Sequence, residues 1–311
     1  MKKKKLVVLT GPTAVGKTKL SIELAKRIGG EIISADSAQV YKYMDIGSAK
    51  IRPEEMEGVT HYLVNELEPS EEFNVVVFQQ KTKQYMQEIY ERGHIPILVG
   101  GTGFYIQSVL YDINFSVDDD NHQIREELEK LAAEKGAEYM HAKLRKIDPA
   151  SADAIHANNI KRVIRALEYY KLTGQKISEH NEEQRQNESP YNFSYFVLND
   201  HRELLYERID RRVDEMVTEG LVEEVKRLQE MGYDRSYVSM QALGYKEIFS
   251  FLEGEISLDE AIYIIKRDTR HFAKRQITWF KREKEVIWVN KPEFNYNNEK
   301  ILDFMYQHIH P

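Results

Sequence analysis

Cysteine is absent from the 311 residues of the chain. This absence excludes disulfide bonds, thiol redox chemistry and a cysteine-based zinc module. The sequence also lacks a run of the roughly 18 apolar residues that a membrane-spanning helix needs. Its start, Met1-Lys2-Lys3-Lys4-Lys5, leads directly into a short strand-like run without the pattern of a cleavable signal. We therefore expect a cytoplasmic protein with no membrane partner.

Positive charge is in deficit, since 44 Lys and Arg residues stand against 51 Asp and Glu residues and leave a formal net charge of −7. Such a charge argues against a nucleic-acid partner, because binding to phosphates usually relies on clustered Lys and Arg. The basic residues are nevertheless concentrated at positions 161–165 and 266–284, whereas acidic residues cluster at 118–120 and 126–129. A locally positive face is compatible with this distribution.

Short apolar runs alternate with amphipathic stretches in the first third of the chain. Residues 5–10, 31–35 and 95–99 are apolar and rich in β-branched side chains, which is typical of buried parallel strands. Residues 17–28 and 78–92 have the spacing of helices. This alternation predicts an open α/β sheet, in which ligands bind beyond the carboxyl ends of the strands.

The pattern changes to helices alone between residue 112 and about residue 191, and then returns to strands and helices. In the first stretch, helices are predicted at 124–135, 139–147 and 160–172. In the second, strands are predicted at 195–198 and 286–289, and long helices at 202–231 and 258–282. A chain of this length can hold two domains. We expect a core of residues 1–115 and 192–311, interrupted by an all-helical domain of residues 116–191.

A phosphate-binding loop follows the first predicted strand, with the sequence Gly11-Pro12-Thr13-Ala14-Val15-Gly16-Lys17-Thr18. The glycines let backbone N–H groups turn toward a phosphate, Lys17 adds a full charge, and the Thr18 hydroxyl can ligate Mg²⁺. The alternative, an incidental glycine turn, is disfavoured by the strand before the loop and the helix after it. We expect a P-loop NTPase-like core, typical of nucleotide-binding and ATP-binding proteins, that holds a polyphosphate, with Mg²⁺ as its metal.

The third apolar run ends without the acidic residue that an ATPase or GTPase needs to position its metal. Gly100-Gly101-Thr102-Gly103 follows instead, which indicates a second phosphate-gripping loop of exposed N–H groups or, alternatively, a tight turn before a helix. Asp36 comes directly after the second apolar run and should therefore lie near the phosphate loop. It is a candidate general base, although an isolated aspartate in this position is as often a helix cap.

Several further blocks occur in order along nearly the whole chain, and together they closely resemble the tRNA dimethylallyltransferase family. Beside the phosphate loop, the resemblance rests on residues 36–41, 44–47 and 100–105, and on residues 208–213, 242–247, 252–255 and 273–280. Two mild departures are Ser48, where threonine is usual in the family, and Phe104, where leucine is common. The eukaryotic members can carry a zinc module, which this chain lacks.

The resemblance implies transfer of a dimethylallyl group from dimethylallyl diphosphate to the exocyclic amine of the adenine immediately 3′ of the anticodon in tRNA, with release of diphosphate. It implies that Asp36 takes the proton of the amine, that Arg212 stabilises the departing diphosphate, and that Thr102 orients the nucleophile or the diphosphate. The partners would be the anticodon stem-loop of tRNA and dimethylallyl diphosphate. The family suggests a monomer, and no protein partner is expected.

The resemblance also assigns binding residues. Diphosphate would be bound by Gly11, Thr13, Ala14, Val15, Gly16, Lys17 and Thr18. The tRNA would be bound by Asp36, Ser37, Ala38, Gln39, Thr102, Arg125, Lys161, Arg162, Arg165, Lys274, Arg275 and Gln276. A physical argument for the last group is the near-helical repetition of basic residues at 267, 270, 274 and 281, opposite apolar residues at 265, 272 and 280. The alternative interpretation of this stretch is an ordinary solvated face.

Two other functions are compatible with parts of the sequence. In a small-molecule kinase, Asp36 would activate a hydroxyl acceptor while Arg208 and Arg212 clamped a transferred phosphoryl group. A non-catalytic RNA-binding protein could retain a degenerate loop, but Lys17, Thr18 and Asp36 are all intact, which disfavours that function.

Overall fold

A computed structural model describes residues 3–115 and 122–309 of the chain. Within these residues six strands form one sheet in which every neighbouring pair is parallel. The order across the sheet is β3-β2-β4-β1-β5-β6. The strands are β1 (Lys4–Thr10), β2 (Gly30–Ala35), β3 (His61–Tyr62), β4 (Ile95–Gly100), β5 (Tyr191–Asn199) and β6 (Val286–Asn290). The predicted α/β fold with a parallel sheet is therefore confirmed.

The register brings the ends of three strands to one edge of the sheet. Gly100 at the end of β4 is paired with Thr10 of β1 on one side and with Ala35 of β2 on the other. The Thr10 hydroxyl donates to the Gly100 carbonyl oxygen at 2.6 Å. The segments that follow β1, β2 and β4 consequently begin side by side.

Both faces of the sheet are covered, as expected for parallel strands. Val7 and Leu9 of β1 belong to one hydrophobic cluster, whereas Leu6 and Val8 are equally buried but point to the opposite face because strand side chains alternate. The cluster also takes in side chains from the helices α1 (Lys17–Ile28) and, at the end of the chain, residues 301, 302 and 305. The next helices along the chain are α2 (Val75–Glu91) and α3 (Gly103–Leu110).

Residues 110–189 form a compact unit distinct from the one made of residues 1–109 and 190–311. Residues 116–121, where the sequence predicts the start of the helical domain, lie outside the described residues. The unit has its own core, which includes Leu128, Met140, Leu144 and Leu167. Its helices are α4 (His122–Lys135), α5 (Ala137–Ile147), α6 (Pro149–Ala154), α7 (Ile160–Thr173) and α8 (Ile177–Arg185).

The single long helix predicted at 202–231 is wrong, because the chain forms two helices there. Gly220 separates them with a left-handed φ of 105°, a conformation that interrupts an α-helix and that glycine adopts without strain. The remaining helices are α9 (Arg202–Glu219), α10 (Leu221–Glu230), α11 (Tyr245–Leu252), α12 (Leu258–Phe280) and α13 (Asn298–Gln307). Within the described ranges, none of the thirteen helices combines the length and apolar character needed to cross a membrane.

Candidate active site

The phosphate loop joins β1 to α1 through three residues with positive φ: Gly11 (146°), Ala14 (61°) and Gly16 (91°). Gly11 also has no room for a side chain, because a Cβ atom there would lie 2.5 Å from the carbonyl oxygen of Leu198. The loop thus closes tightly in front of the first turn of α1, where the backbone N–H groups and the helix dipole favour an anion. The Lys17 ammonium group donates to the carbonyl oxygens of Gly11 at 3.0 Å and Pro12 at 2.9 Å.

The second glycine loop begins α3 and is built for close packing. A Cβ atom would lie 2.2 Å from the Ala35 oxygen at Gly100, and 2.2 Å from Cδ1 of Trp279 at Gly103. The Thr102 N–H group donates to the Ala35 carbonyl oxygen at 3.2 Å. The prediction of exposed N–H groups is therefore wrong at Thr102, because the loop packs against β2. The Thr102 side chain is half-buried next to that strand end.

Gln276 connects the two loops. Its buried side chain accepts a hydrogen bond from the Thr13 N–H group at 2.9 Å and donates to the Gly101 carbonyl oxygen at 3.0 Å. A Cβ atom at Gly101 would lie 2.1 Å from the amide nitrogen of Gln276, so this contact requires glycine. The sequence grouped Gln276 with the tRNA-binding residues, whereas the fold turns its side chain inward, between the phosphate loop and the second glycine loop.

Asp36 follows β2 and is half-buried at the same edge. Its Oδ1 atom accepts hydrogen bonds from the N–H groups of Ala38 at 2.8 Å and Gln39 at 3.3 Å. The alternative of a helix cap is wrong, because no helix begins in residues 36–52 and Oδ1 caps a turn instead; the general-base role stays a prediction. The neighbouring Ser37 side chain is exposed, whereas the Gln39 amide donates to the carbonyl oxygens of Ser48 and Ala49.

Lys17, Asp36 and Arg212 act on one another electrostatically. Removal from water lowers the pKa of Lys17 to about 8; the Asp36 carboxylate opposes that shift and the Arg212 guanidinium adds to it. Burial likewise lowers the pKa of Arg212, against the influence of Glu215 and Asp36. The fold thus brings two cations and one carboxylate from three separate segments to the phosphate loop.

Sequence reasoning missed Lys291, which lies directly after β6. Its ammonium group donates to the carbonyl oxygen of Val15 in the phosphate loop at 3.1 Å. Burial and nearby Arg208 lower the pKa of Lys291. No local pattern pointed to it, because the two bonded residues are separated by 276 positions in the chain.

The exposed face of α12 carries Lys274 and Arg275. The guanidinium carbon of Arg275 lies 5.8 Å from the ring centre of Phe272, which is 39% exposed. The prediction that Phe272 lies opposite the basic residues is therefore wrong: the stripe that α12 buries includes Ala261, Ile265, Ala273, Gln276 and Phe280. Arg270 bonds to Asp210, and Arg267 to its neighbour Asp268, so these two basic residues are held by carboxylates.

Lys274 also lines a cavity of about 550 Å³ at the carboxyl ends of β5 and β6. Its lining combines three cations with two aromatic rings: Arg202, Lys274, Lys281, Tyr206 and Trp288. The Arg202 guanidinium lies 5.1 Å from the centre of the Tyr206 ring. Cations beside aromatic rings are suited to nucleic acid, because phosphates and bases can both be contacted.

In the helical unit, Lys161 and Arg162 are exposed in the first turn of α7. Arg125 and Arg165 instead converge on the buried Glu168, whose Oε2 atom accepts from them at 2.8 Å and 3.2 Å. Two of the four predicted tRNA contacts of this unit thus also neutralise a carboxylate within it.

Thr18, the residue predicted to hold a metal, provides a single oxygen ligand. Within residues 3–115 and 122–309, no group of three or more His, Asp or Glu side chains could hold a metal ion. Thr18 is exposed in the first turn of α1. A hydroxyl in this position fits Mg²⁺, which usually takes one or two protein oxygens and completes its shell with phosphate oxygens and water.

Comparison with known proteins identifies the family. A family model described as IPP transferase matches residues 39–283. The chain belongs to this family. Among its relatives, the tRNA dimethylallyltransferase of Lachnoclostridium phytofermentans is 67% identical over 290 residues, which are 93% of either chain. The family predicted from the sequence blocks is confirmed.

Two solved structures extend the match to the IPP transferase fold. The tRNA isopentenylpyrophosphate transferase of Bacillus halodurans is 47% identical, with a TM-score of 0.74 over 99% of this chain and 97% of that one. A eukaryotic dimethylallyltransferase acting on tRNA is 30% identical, with a TM-score of 0.83 over 98% of this chain and 80% of that one.

Proposed function

We propose that this protein moves a dimethylallyl group from dimethylallyl diphosphate to the exocyclic amine of the adenine immediately 3′ of the anticodon in tRNA. The observation that carries the proposal is the convergence of Lys17, Asp36 and Arg212 at the phosphate loop, in a chain whose relatives are tRNA dimethylallyltransferases. In this reaction the C–N bond forms, the C–O bond breaks with its electron pair on diphosphate, and the amine gives up a proton.

The phosphate loop holds the leaving group. Negative charge grows on the diphosphate as the C–O bond breaks, so cations near it bind more tightly in the transition state than in the ground state. Lys17 and Arg212 supply this charge, and their removal from water strengthens the attraction. The loop residues Gly11, Thr13, Ala14, Val15 and Gly16 contribute backbone to the cradle.

Asp36 accepts the proton of the adenine amine. Because Oδ1 is bonded to the N–H groups of Ala38 and Gln39, Oδ2 is the oxygen that receives the proton. Thr102 follows the neighbouring strand β4 and orients either the amine or the diphosphate with its hydroxyl. Ser37, Ala38 and Gln39 form the wall against which the adenine lies.

Mg²⁺ is the metal that suits the leaving group. Thr18 would supply one oxygen ligand, and the remaining ligands would be diphosphate oxygens and water. When bound, the ion would neutralise part of the diphosphate charge. Thr18→Val should therefore weaken the dependence of diphosphate binding on added Mg²⁺, which a titration of inorganic diphosphate with and without the metal measures.

The RNA is held outside the pocket by basic residues. A stacked adenine cannot expose its amine to a site at a sheet edge, so the base must be extruded from the anticodon loop. Lys274 and Arg275 on α12 and the exposed Lys161 and Arg162 on α7 contact the anticodon stem-loop. Arg125, Arg165 and Gln276 support these contacts from within their own units. The protein acts as a monomer.

Phosphoryl transfer to a small alcohol is disfavoured by the surroundings of Arg208. Its guanidinium donates to the Asp200 carboxylate at 2.6 Å, so it is held by a partner that a phosphoryl group would have to displace. Strand β4 ends in Gly100 and continues into Gly101, neither of which can position a metal for hydrolysis.

The proposal is tested by incubating the protein with dimethylallyl diphosphate labelled in its carbon skeleton and with unmodified tRNA. Label should appear in RNA, at the adenine 3′ of the anticodon, and diphosphate should be released in equal amount. A matched tRNA with guanine at that position is the control and should remain unlabelled. Consumption of ATP without labelled RNA would refute prenyl transfer.

A further inference from the structure

Glu224 of α10 is a buried carboxylate with four hydrogen-bond donors around it. It is 1% exposed. Its Oε2 atom accepts from the N–H groups of Asp45 at 3.0 Å and Ile46 at 2.8 Å. Its Oε1 atom accepts from the N–H group of Gly47 at 3.1 Å and from the Tyr245 hydroxyl at 2.7 Å. Three consecutive backbone N–H groups thus point at one side chain.

This arrangement fixes the backbone of residues 45–47. A carboxylate is stable in a protein interior only when hydrogen bonds replace its lost hydration, and an arc of backbone N–H groups binds an anion well. Burial and the nearby Glu224 carboxylate raise the pKa of Tyr245 far above its usual value, so its hydroxyl stays protonated and donates. A Cβ atom at Gly47 would lie 2.6 Å from the Tyr245 ring, so the backbone packs directly against the ring and leaves no room for a side chain.

The fixed segment belongs to the stretch that carries the base-binding residues. We call residues 36–50 the recognition loop. Within it, the Gln39 amide donates to the carbonyl oxygens of Ser48 at 3.3 Å and Ala49 at 3.2 Å. The Ser48 hydroxyl in turn donates to the Met44 carbonyl oxygen at 2.6 Å. A displacement of residues 45–47 would therefore move Ser48, and through its bond to Ser48 the Gln39 side chain would move as well.

The loop also closes on Asp36. Because Oδ1 of Asp36 accepts from the N–H group of Gln39, the place of the carboxylate depends on where Gln39 lies. A second link runs through Lys50, whose ammonium group donates to the Asp45 carboxylate at 2.7 Å and also to the Tyr41 carbonyl oxygen. The recognition loop is thus braced internally, while Glu224 and Tyr245 attach its far end to α10 and α11.

We propose that Glu224 is a positioning residue for the tRNA substrate, which holds residues 45–47 so that Gln39 and Asp36 meet the adenine in a fixed geometry. The inference rests on the proposed function, because the adenine is the group that the recognition loop receives. Glu224 touches neither substrate nor the reacting atoms, and it acts only through the loop.

A residue that only stabilises the fold should affect thermal unfolding but not the kinetics with tRNA. Glu31 is such a residue and provides the matched control. Glu31 is also buried and also accepts several hydrogen bonds, from Arg92 at 2.9 Å, from the Tyr62 hydroxyl at 2.7 Å and from His94. Although burial acts in the opposite direction, these bonds lower the pKa of Glu31 to about 2. Glu31 lies near the start of β2, at the end of the strand opposite to Asp36.

The experiment compares Glu224→Gln with Glu31→Gln in steady-state prenyl transfer and in thermal unfolding. In Glu224→Gln, one oxygen can still accept from the loop, but the amide NH₂ faces donors where the other oxygen had accepted, so the loop loses part of its anchor. We expect kcat/KM for tRNA to fall about tenfold or more, as for loss of a hydrogen bond to a charged group, while KM for dimethylallyl diphosphate stays within about twofold of the parent value. Glu31→Gln should lower the melting temperature, while kcat/KM for tRNA and KM for dimethylallyl diphosphate stay within about twofold of the parent values.

Tyr245→Phe keeps the folded shape and removes one of the four donors. It should lower kcat/KM for tRNA by an intermediate factor of about three, and it carries the test alone if Glu224→Gln does not fold. The inference is overturned if an active parent enzyme and Tyr245→Phe have the same kcat/KM for tRNA, or if Glu31→Gln and Glu224→Gln lose it equally. A parent enzyme that transfers no label would instead refute the proposed function.

Discussion

The side-chain amide of Gln276 donates to the carbonyl oxygen of Gly101 at 3.0 Å, across 175 positions of sequence. Since the same side chain accepts from Thr13, one residue of α12 sets the spacing between the phosphate loop and the second glycine loop. The geometry of this edge of the sheet therefore depends on a helix that follows it late in the chain.

Replacing Gln276 should weaken diphosphate binding. Gln276→Leu leaves the Thr13 N–H group and the Gly101 carbonyl oxygen without their partner, at a free-energy cost of about 1–3 kcal/mol for each buried group. We expect the affinity for inorganic diphosphate to fall at least tenfold in isothermal titration calorimetry. Gln229→Leu, on the separate helix α10, is the control; an equal loss of affinity there would contradict the assignment.

Asp36→Asn should separate the two roles of this carboxylate. The asparagine oxygen can still accept from the N–H groups of Ala38 and Gln39, so the turn is preserved, but an amide cannot take up the proton of the amine. Turnover should fall by roughly 10²-fold or more, as for loss of a general base, while the dissociation constant for tRNA stays nearly unchanged. Single-turnover transfer and filter binding measure the two quantities. Undiminished turnover would remove Asp36 from its catalytic role.

Diphosphate binding should be linked to protonation of Lys17. With a pKa of about 8, the free ammonium group loses its proton as the pH rises through that value, whereas a bound anion favours the charged form and raises the pKa. At pH 8 we expect an uptake of about half a proton on binding, and an affinity that declines above pH 8. Calorimetry in buffers of different ionisation enthalpy measures the uptake.

The control for this linkage is Lys17→Arg, which remains charged throughout the range. The ionisation of diphosphate itself contributes equally to both proteins, so the difference between them isolates the lysine. Identical proton uptake in the parent and the variant would show that Lys17 does not titrate in this range.

Salt dependence should reveal whether α12 contacts RNA phosphates. Lys274→Ala should make the slope of log affinity against log salt concentration shallower by about one unit, because one counterion fewer is released. Lys266 lies on the same helix but pairs with Asp214 at 2.6 Å. Lys266→Ala should leave the slope unchanged, and an unchanged slope in both variants would make α12 an ordinary solvated face.

Much of this edge of the sheet could be predicted because its residues follow apolar strands directly. Asp36 comes one residue after β2 and Gly101 one residue after β4, and parallel strands bring their carboxyl ends together. The bonds that hold this edge were not predictable in the same way. The backbone groups bonded by Gln276, Glu224 and Lys291 lie more than a hundred residues away, so these bonds are fixed by packing of the whole unit.

The wrong predictions also have physical causes. The hydrophobic periodicity continues on both sides of Gly220 and therefore predicts one helix. The left-handed φ of Gly220, which ends the first helix, is not visible in that periodicity. Phe272 was placed on the apolar face because its spacing from residues 265 and 280 is close to that of a helix. The buried side of α12 instead runs through Ala261, Ile265 and Ala273, and Phe272 lies outside it.

The two carbonyl oxygens bound by Lys17 have a consequence for how substrate enters. Gly11 and Pro12 already occupy the ammonium group with hydrogen bonds of 3.0 Å and 2.9 Å. An ammonium group has three N–H donors, so one donor remains for an arriving diphosphate while the loop keeps its two contacts. The side chain is thereby held in place before the ligand enters, and little of its conformational entropy is left to be lost on binding.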